Sequence, residues 1–169
     1  FQPIRRPEVP AGRHPVDFFV DHQLATRDYQ KVARADHRTL VRRAVYDLHG
    51  LPPSEKHLVG HDLATLIDTL LASPRYGERW GRHWLDVARY ADTKDGVLMY
   101  GDKRMRPFAY SYRDFVIRAF NEDKPFDRFI HEQLAADRLG LADDDPALAA
   151  MGFLTLGRMF DRNRHDIID

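Results

Sequence analysis

Apolar residues recur along this chain at intervals of three and four, and almost nowhere at intervals of two, so the pattern predicts helices rather than strands. Val16, Phe19, Val20 and Leu24 form the first stripe and predict a helix over 16–27. Leu40, Val41, Ala44, Val45 and Leu48 form a second, with Asp36 placed to cap its start. Gly50 closes it, and Pro52 and Pro53 forbid continuation. Ser54 to His57 can open a short helix, and Asp62 can cap another whose core face is Leu63, Leu66, Ile67, Leu70 and Leu71. Ser73 and Pro74 break that pattern. A longer helix is expected over 75–91, with Trp80, Trp84, Val87, Ala88 and Ala91 on one face. Helical spacing resumes over 110–120 through Phe115, Val116, Ala119 and Phe120. Pro125 then opens a helix carrying Phe126, Phe129, Ile130, Leu134 and Ala135. Asp145 and Pro146 form a cap and first-turn pair for a last helix over 147–156, ended by Gly157.

Between these stripes, residues 1–15 are rich in proline and arginine and are expected to be extended. Residues 92–107 are polar, contain Gly96 and Gly101, and read as a long loop. The last twelve residues carry no assignable pattern. The expected fold is all-α: an irregular multi-helix domain of about seven to eight helices with long loops. Its organisation is an extended N-terminal segment, 1–15, and a single helical domain, 16–169.

Composition narrows the function classes. A hydrophobic fraction of 43%, with Phe 10, Tyr 7 and Trp 2, suffices for a packed core. Basic and acidic residues balance at 26 each, which argues against a general nucleic-acid binder while leaving room for a local basic patch. Arginine supplies most of the basic set, and its planar fork suits carboxylate pairs and aromatic stacking. There is no cysteine, so disulfides, thiolate metal sites, cysteine nucleophiles and covalent haem attachment are excluded within this chain. No apolar run approaches the ~20 residues of a membrane span.

Few residues carry a chemical signature. His57 and His61 have the spacing of paired zinc ligands, but Leu58 stands where a metalloprotease needs its glutamate, and Gly60 weakens the local helix. His83 lies between the two tryptophans, where an imidazole can ligate a metal or haem iron, or simply bond a carboxylate or backbone carbonyl. Arg89 and Asp92, and Arg113 and Asp114, sit beside Tyr90 and Tyr112. Such pairs can crosslink helices or clamp carboxylate or propionate groups. Asp143, Asp144 and Asp145 lack calcium-loop spacing and fit a charged loop leading into a helix cap. Phosphate-cradling glycine loops and nucleophile elbows are absent.

Several stretches taken together carry a resemblance: IRRPEVP at 4–10, LVRRAVYDLHGLPP at 40–53, LLASPRYGERWGRHWLDVARYAD at 70–92, YRDFVIRAFN at 112–121, PFDRFIHEQLAAD at 125–137 and MGF at 151–153. The chain resembles the planctomycete cytochrome-associated domain of unknown function, which occurs in large secreted proteins, often beside a cytochrome c domain. It departs mildly from that pattern, with Ala136 where the family often has glycine and Met151 where it often has threonine. In that family a C-x-x-C-H segment follows a region like 161–169, so the chain is expected to be truncated at its C-terminal end. The resemblance implies haem c in the parent protein, partners in its downstream segment and a cytochrome c domain, and a periplasmic or secreted location. In that setting His83 is the candidate axial ligand or distal-pocket group, and Arg89, Tyr90, Tyr112 and Arg113 are candidate haem-propionate contacts. Electron transfer or oxidation of an extracellular substrate is the first expectation. A non-enzymatic scaffold for a partner domain or glycan is the second, and a hydrolase with paired carboxylates the third.

Overall fold

Seven α-helices and two 3-10 segments make up all regular structure among the residues described by the computed structural model, namely 3, 5–60, 62–92 and 108–156. The helices are α1 (Pro15–Thr26), α2 (His37–His49), α3 (Glu55–Leu58), α4 (Leu63–Leu71), α5 (Pro74–Val87), α6 (Ala109–Asn121) and α7 (Phe126–Ala135). The 3-10 segments are Ala136–Arg138 and Pro146–Thr155. No strand occurs among the described residues, in keeping with the three-and-four spacing of the apolar positions. Of the loop expected over 92–107 only Asp92 is among the described residues; residues 93–107, His61, Gly157 and the unassigned tail lie outside them.

The chain divides into two compact units, residues 1–36 and 37–169. In the first, Pro15 occupies the opening turn of α1, where its missing N–H leaves no helix bond unmade. Asp21 draws Arg13 and Lys31 to 3.0 and 2.8 Å. Phe18 and Phe19 meet edge to face at 5.2 Å, yet α1 buries no residue.

The second unit holds two apolar clusters. One joins α2 to α4 through Val41, Val45, Leu66 and Leu70. Asp62 fixes the start of α4 by accepting from the backbone N–H groups of Ala64 and Thr65. Gly50 ends α2 at φ +70°, a conformation that favours glycine. The other cluster gathers Ala88, Tyr112, Phe115, Val116, Ala119, Phe129 and Ala150 from the end of α5, α6, α7 and the second 3-10 segment.

Helix α5 packs on both α2 and α6. Against α6 it presents Gly77 and Gly81. A Cβ on Gly77 would overlap the Ile117 backbone carbonyl, and the bare backbone there donates instead from Gly77 N to Asn121 Oδ1 at 2.7 Å. Asn121 also donates to the Pro74 carbonyl at 3.2 Å, so one side chain fastens the first turn of α5 to the last turn of α6.

Four local features differ from the sequence expectation. Ser73 and Pro74 do not merely break a helix: they start α5, as its N-cap and first residue. Helix α5 ends at Val87 rather than near Ala91, because Arg89 adopts φ +57° and Tyr90 N bonds back to Leu85 O, a left-handed cap built without glycine. Val87 and Leu71, expected on core faces, are exposed. The segment after Asp145 is 3-10 rather than α. Three residues per turn stack Ala147, Ala150 and Phe153 in one row, the row that packs inward, and Gly152 lets the backbone lie against the Tyr112 side chain.

Candidate functional site

Where α5 gives way to the 93–107 segment, the left-handed turn at Arg89 throws Tyr90 back against α6. The Tyr90 ring lies 6.2 Å from that of Tyr112. Its hydroxyl donates to Asp92 Oδ1 at 2.5 Å. Arg113, one residue along α6, reaches the same carboxylate at 3.6 Å and Asp114 at 3.1 Å. Four polar side chains, Tyr90, Asp92, Arg113 and Asp114, thus form a rim over the aromatic cluster. Burial, followed by the bond to Asp92, pushes the Tyr90 hydroxyl up to about 12.

Beneath the rim, Tyr112 is buried and its hydroxyl donates to Gln133 Oε1 at 2.7 Å. Trp84 Nε1 donates to both that hydroxyl and the same Gln133 oxygen, each at 3.0 Å. Gln133 completes its set by donating to the Phe129 carbonyl. Burial is the main cause that raises the Tyr112 hydroxyl to about 12. On the far side of the cluster, buried Glu132 accepts from Lys124 at 2.6 Å and Arg128 at 2.7 Å. Lys124 also sits over the Phe115 ring, 5.2 Å from its centroid. Burial alone would raise the Glu132 carboxyl, but the two cations outweigh it and hold the group below its ordinary value.

The five residues singled out in the sequence are therefore divided. Tyr90, Tyr112 and Arg113 come together. Tyr112 faces inward, with its hydroxyl turned to Gln133 and Trp84, whereas Tyr90 and Arg113 face the rim. Arg89 is exposed at the turn that shapes the rim. His83 is exposed on α5, edge-on to Trp80 at 5.4 Å, and takes no part in the rim bonds. Asp92 meets Arg113 rather than the nearer-in-sequence Arg89. His57 caps α3, accepting from Ser54 N at 3.1 Å, and Asp145 caps the second 3-10 segment through Ala147 N. No group of three or more His, Asp or Glu among the described residues could hold a metal ion.

Sequence reasoning passed over Gln133, Glu132 and the glycines of α5. The four-residue spacing of Gly77 and Gly81 was a usable signal of close helix approach. So was the run Lys124, Arg128, Glu132 at four-residue intervals. Nothing in the sequence marked Gln133 as the shared acceptor of a tyrosine and a tryptophan 21 and 49 residues away.

No helix among the described residues is long and apolar enough to cross a membrane. A family model described as a protein of unknown function matches residues 15–168. No curated protein and no solved structure matches the chain.

Proposed function

The chain belongs to the PSCyt2 family (DUF1549), a cytochrome-associated domain of unknown function, and from that premise we propose that it is the helical part of a periplasmic or secreted redox protein working beside a c-type haem. The haem would be carried outside these residues, since a chain without cysteine cannot attach it covalently. The role left to this chain is to shape the surroundings of the haem: an axial or distal imidazole, polar contacts to propionates, and burial.

The observation that carries this reading is the exposure of His83 on a helix fixed at both ends. A histidine meant for an iron atom on another segment must be reachable, and His83 is exposed, with its ring 5.4 Å from that of Trp80. The rim adds phenol and guanidinium groups suited to carboxylates. Arg113 already meets two carboxylates, the Tyr90 hydroxyl is donated to Asp92 and Tyr112 is turned inward, so exposed Arg89 is the direct propionate contact and Tyr90 becomes one where a propionate replaces Asp92. Tyr112 and Arg113 act by positioning them. The reaction is electron transfer or oxidation of an extracellular substrate.

A second reading is a non-enzymatic scaffold that holds a partner domain or glycan. It draws on the exposed rings of Phe108 and Tyr110 at the start of α6. The test is a visible spectrum of the intact parent protein, oxidised and reduced, with a pyridine haemochrome assay and the His83→Ala variant. A c-type signal whose axial ligation changes in the variant supports the redox reading. A protein without haem, made in a host that attaches it, sinks that reading and leaves the scaffold.

A further inference from the structure

Away from the rim, α2 and α5 border a groove of about 550 Å3 lined by Arg42, Arg43, Ala44, Tyr46, Asp47 and Arg79. Three guanidinium groups against one carboxylate leave the lining with a surplus of two positive charges in a chain whose net charge is zero. No ion pair within 4.0 Å joins any of these arginines to a carboxylate of the described residues. Asp47 stands four residues from Arg43 on the same helix, a spacing at which exposed pairs commonly form. Among the other described arginines, Arg13, Arg113, Arg118, Arg128 and Arg138 are paired and several exposed ones, such as Arg75 and Arg82, are not, so it is the convergence of three guanidinium groups on one groove that sets this site apart.

Arg79 is built into place rather than left at the surface. Its side chain crosses the C-terminal end of α2 over Gly50, where a Cβ would come within 2.8 Å of Arg79 Cδ and 3.2 Å of Nε. Its Nε is shielded from solvent and meets no acceptor among the described residues. Packing against Gly50 holds the stem of Arg79 in place, and because Arg79 lines the groove the outer N–H groups of its guanidinium can meet a ligand oxygen there. Tyr46 adds a hydroxyl one turn along α2 from Arg42.

We propose that the Arg42–Arg43–Arg79 groove is a binding site for a dianionic tetrahedral oxyanion of the phosphate or sulfate type. Two charges match the surplus, and a tetrahedral ion offers oxygens to three arginine forks at once, as a planar monocarboxylate does not. The site lies apart from the rim, to which none of its residues belongs, although Arg79 stands one turn before His83 on α5.

The test is calorimetric titration of the intact protein with inorganic phosphate, phenyl phosphate and acetate at fixed chloride, on the parent and on Arg42→Gln and Arg79→Gln. The expected result is saturable phosphate binding that each variant weakens by about tenfold or more, with acetate much weaker. Tighter phenyl phosphate than phosphate identifies an esterified ligand; equal binding identifies the free ion. Arg42 is exposed, so its variant keeps the test valid if Arg79→Gln unfolds the contact with Gly50. Acetate binding as well as phosphate, no saturation below about 10 mM, or unchanged affinity in Arg42→Gln overturns the proposal.

Discussion

The Tyr112 hydroxyl donates to the Gln133 side-chain oxygen at 2.7 Å, and that oxygen also accepts from Trp84, so one amide ties α5, α6 and α7 together inside the core. Removing the hydroxyl leaves Trp84 still bonded to Gln133. Tyr112→Phe should therefore cost about 1 kcal/mol. Gln133→Leu leaves the buried Tyr112 hydroxyl without its acceptor and Trp84 with only that hydroxyl to bond, and should cost more than about 2 kcal/mol. Urea unfolding of the two variants checks the order, and a milder effect for Gln133→Leu would remove Gln133 from its central role.

Tyr90 and Tyr112 both titrate near 12, above the ordinary phenol value of 10, mainly because burial disfavours the charged form. A group raised in the fold contributes stability that is complete below its unfolded value. That contribution is lost as pH climbs from about 10 toward 12. Melting temperature should fall across this window together with the rise of tyrosinate absorbance, and Tyr112→Phe should show a shallower fall. Tyrosinate appearing at the free-phenol pH while the protein stays folded would contradict the buried placement of these rings.

Gly77 and Gly81 look alike in sequence but should respond differently to a methyl group. At Gly77 the added carbon meets a backbone carbonyl and Asn121, neither of which can yield freely. Gly77→Ala should destabilise by about 3 kcal/mol. At Gly81 the nearest atoms stand at 3.4 and 3.5 Å, ordinary contact, so Gly81→Ala should be neutral or should gain up to about 1 kcal/mol of helix propensity. Thermal melts of the pair decide the matter, and equal losses would mean that α5 and α6 do not approach most closely at Gly77.

Glu132 is the counter-charge for Lys124 and Arg128, so Glu132→Gln should cost about 3 kcal/mol by leaving two cations unpaired near the core. Its carboxyl is held below the ordinary 4.5 against the opposing effect of burial. Stability from this group is present above that value and is lost as pH falls through the lower, folded one. Acid unfolding should shift accordingly in the variant; an unchanged acid limb would show that other carboxylates govern it.

Arg89 holds a left-handed conformation that costs a non-glycine residue about 1 kcal/mol. Arg89→Gly should raise the urea midpoint while removing a candidate propionate contact. A lowered midpoint would mean that the arginine side chain makes contacts worth more than the strain.

The helices themselves were legible because their caps and periods agree: Asp36 to Gly50 and Asp62 to Ser73 each carry a start, a stripe and a stop, and Pro125 opens a stripe that runs to Ala135. The end of α5 was not legible, since its left-handed cap falls on an arginine where sequence reasoning looks for glycine. The 3-10 segment was missed because a run of alanine and leucine satisfies either helix type, and only packing on Tyr112 distinguishes them. The rim was half visible: Arg113 and Tyr90 stood out, but that Asp92 serves them both depends on the turn at Arg89. The basic groove could not be seen at all, because Arg42 and Arg79 are 37 positions apart and meet only through the approach of α2 to α5.

The two apolar clusters share no side chain, and α5 alone among the longer helices packs on both α2 and α6. Cooperativity across residues 37–156 therefore passes through one rod of fourteen residues. If that rod frays, the α2–α4 end can breathe open while the aromatic end stays shut, and backbone amides should sort into two protection classes along this seam. A binding event on α5, at Arg79 or one turn on at His83, would then be felt as slower breathing in both halves.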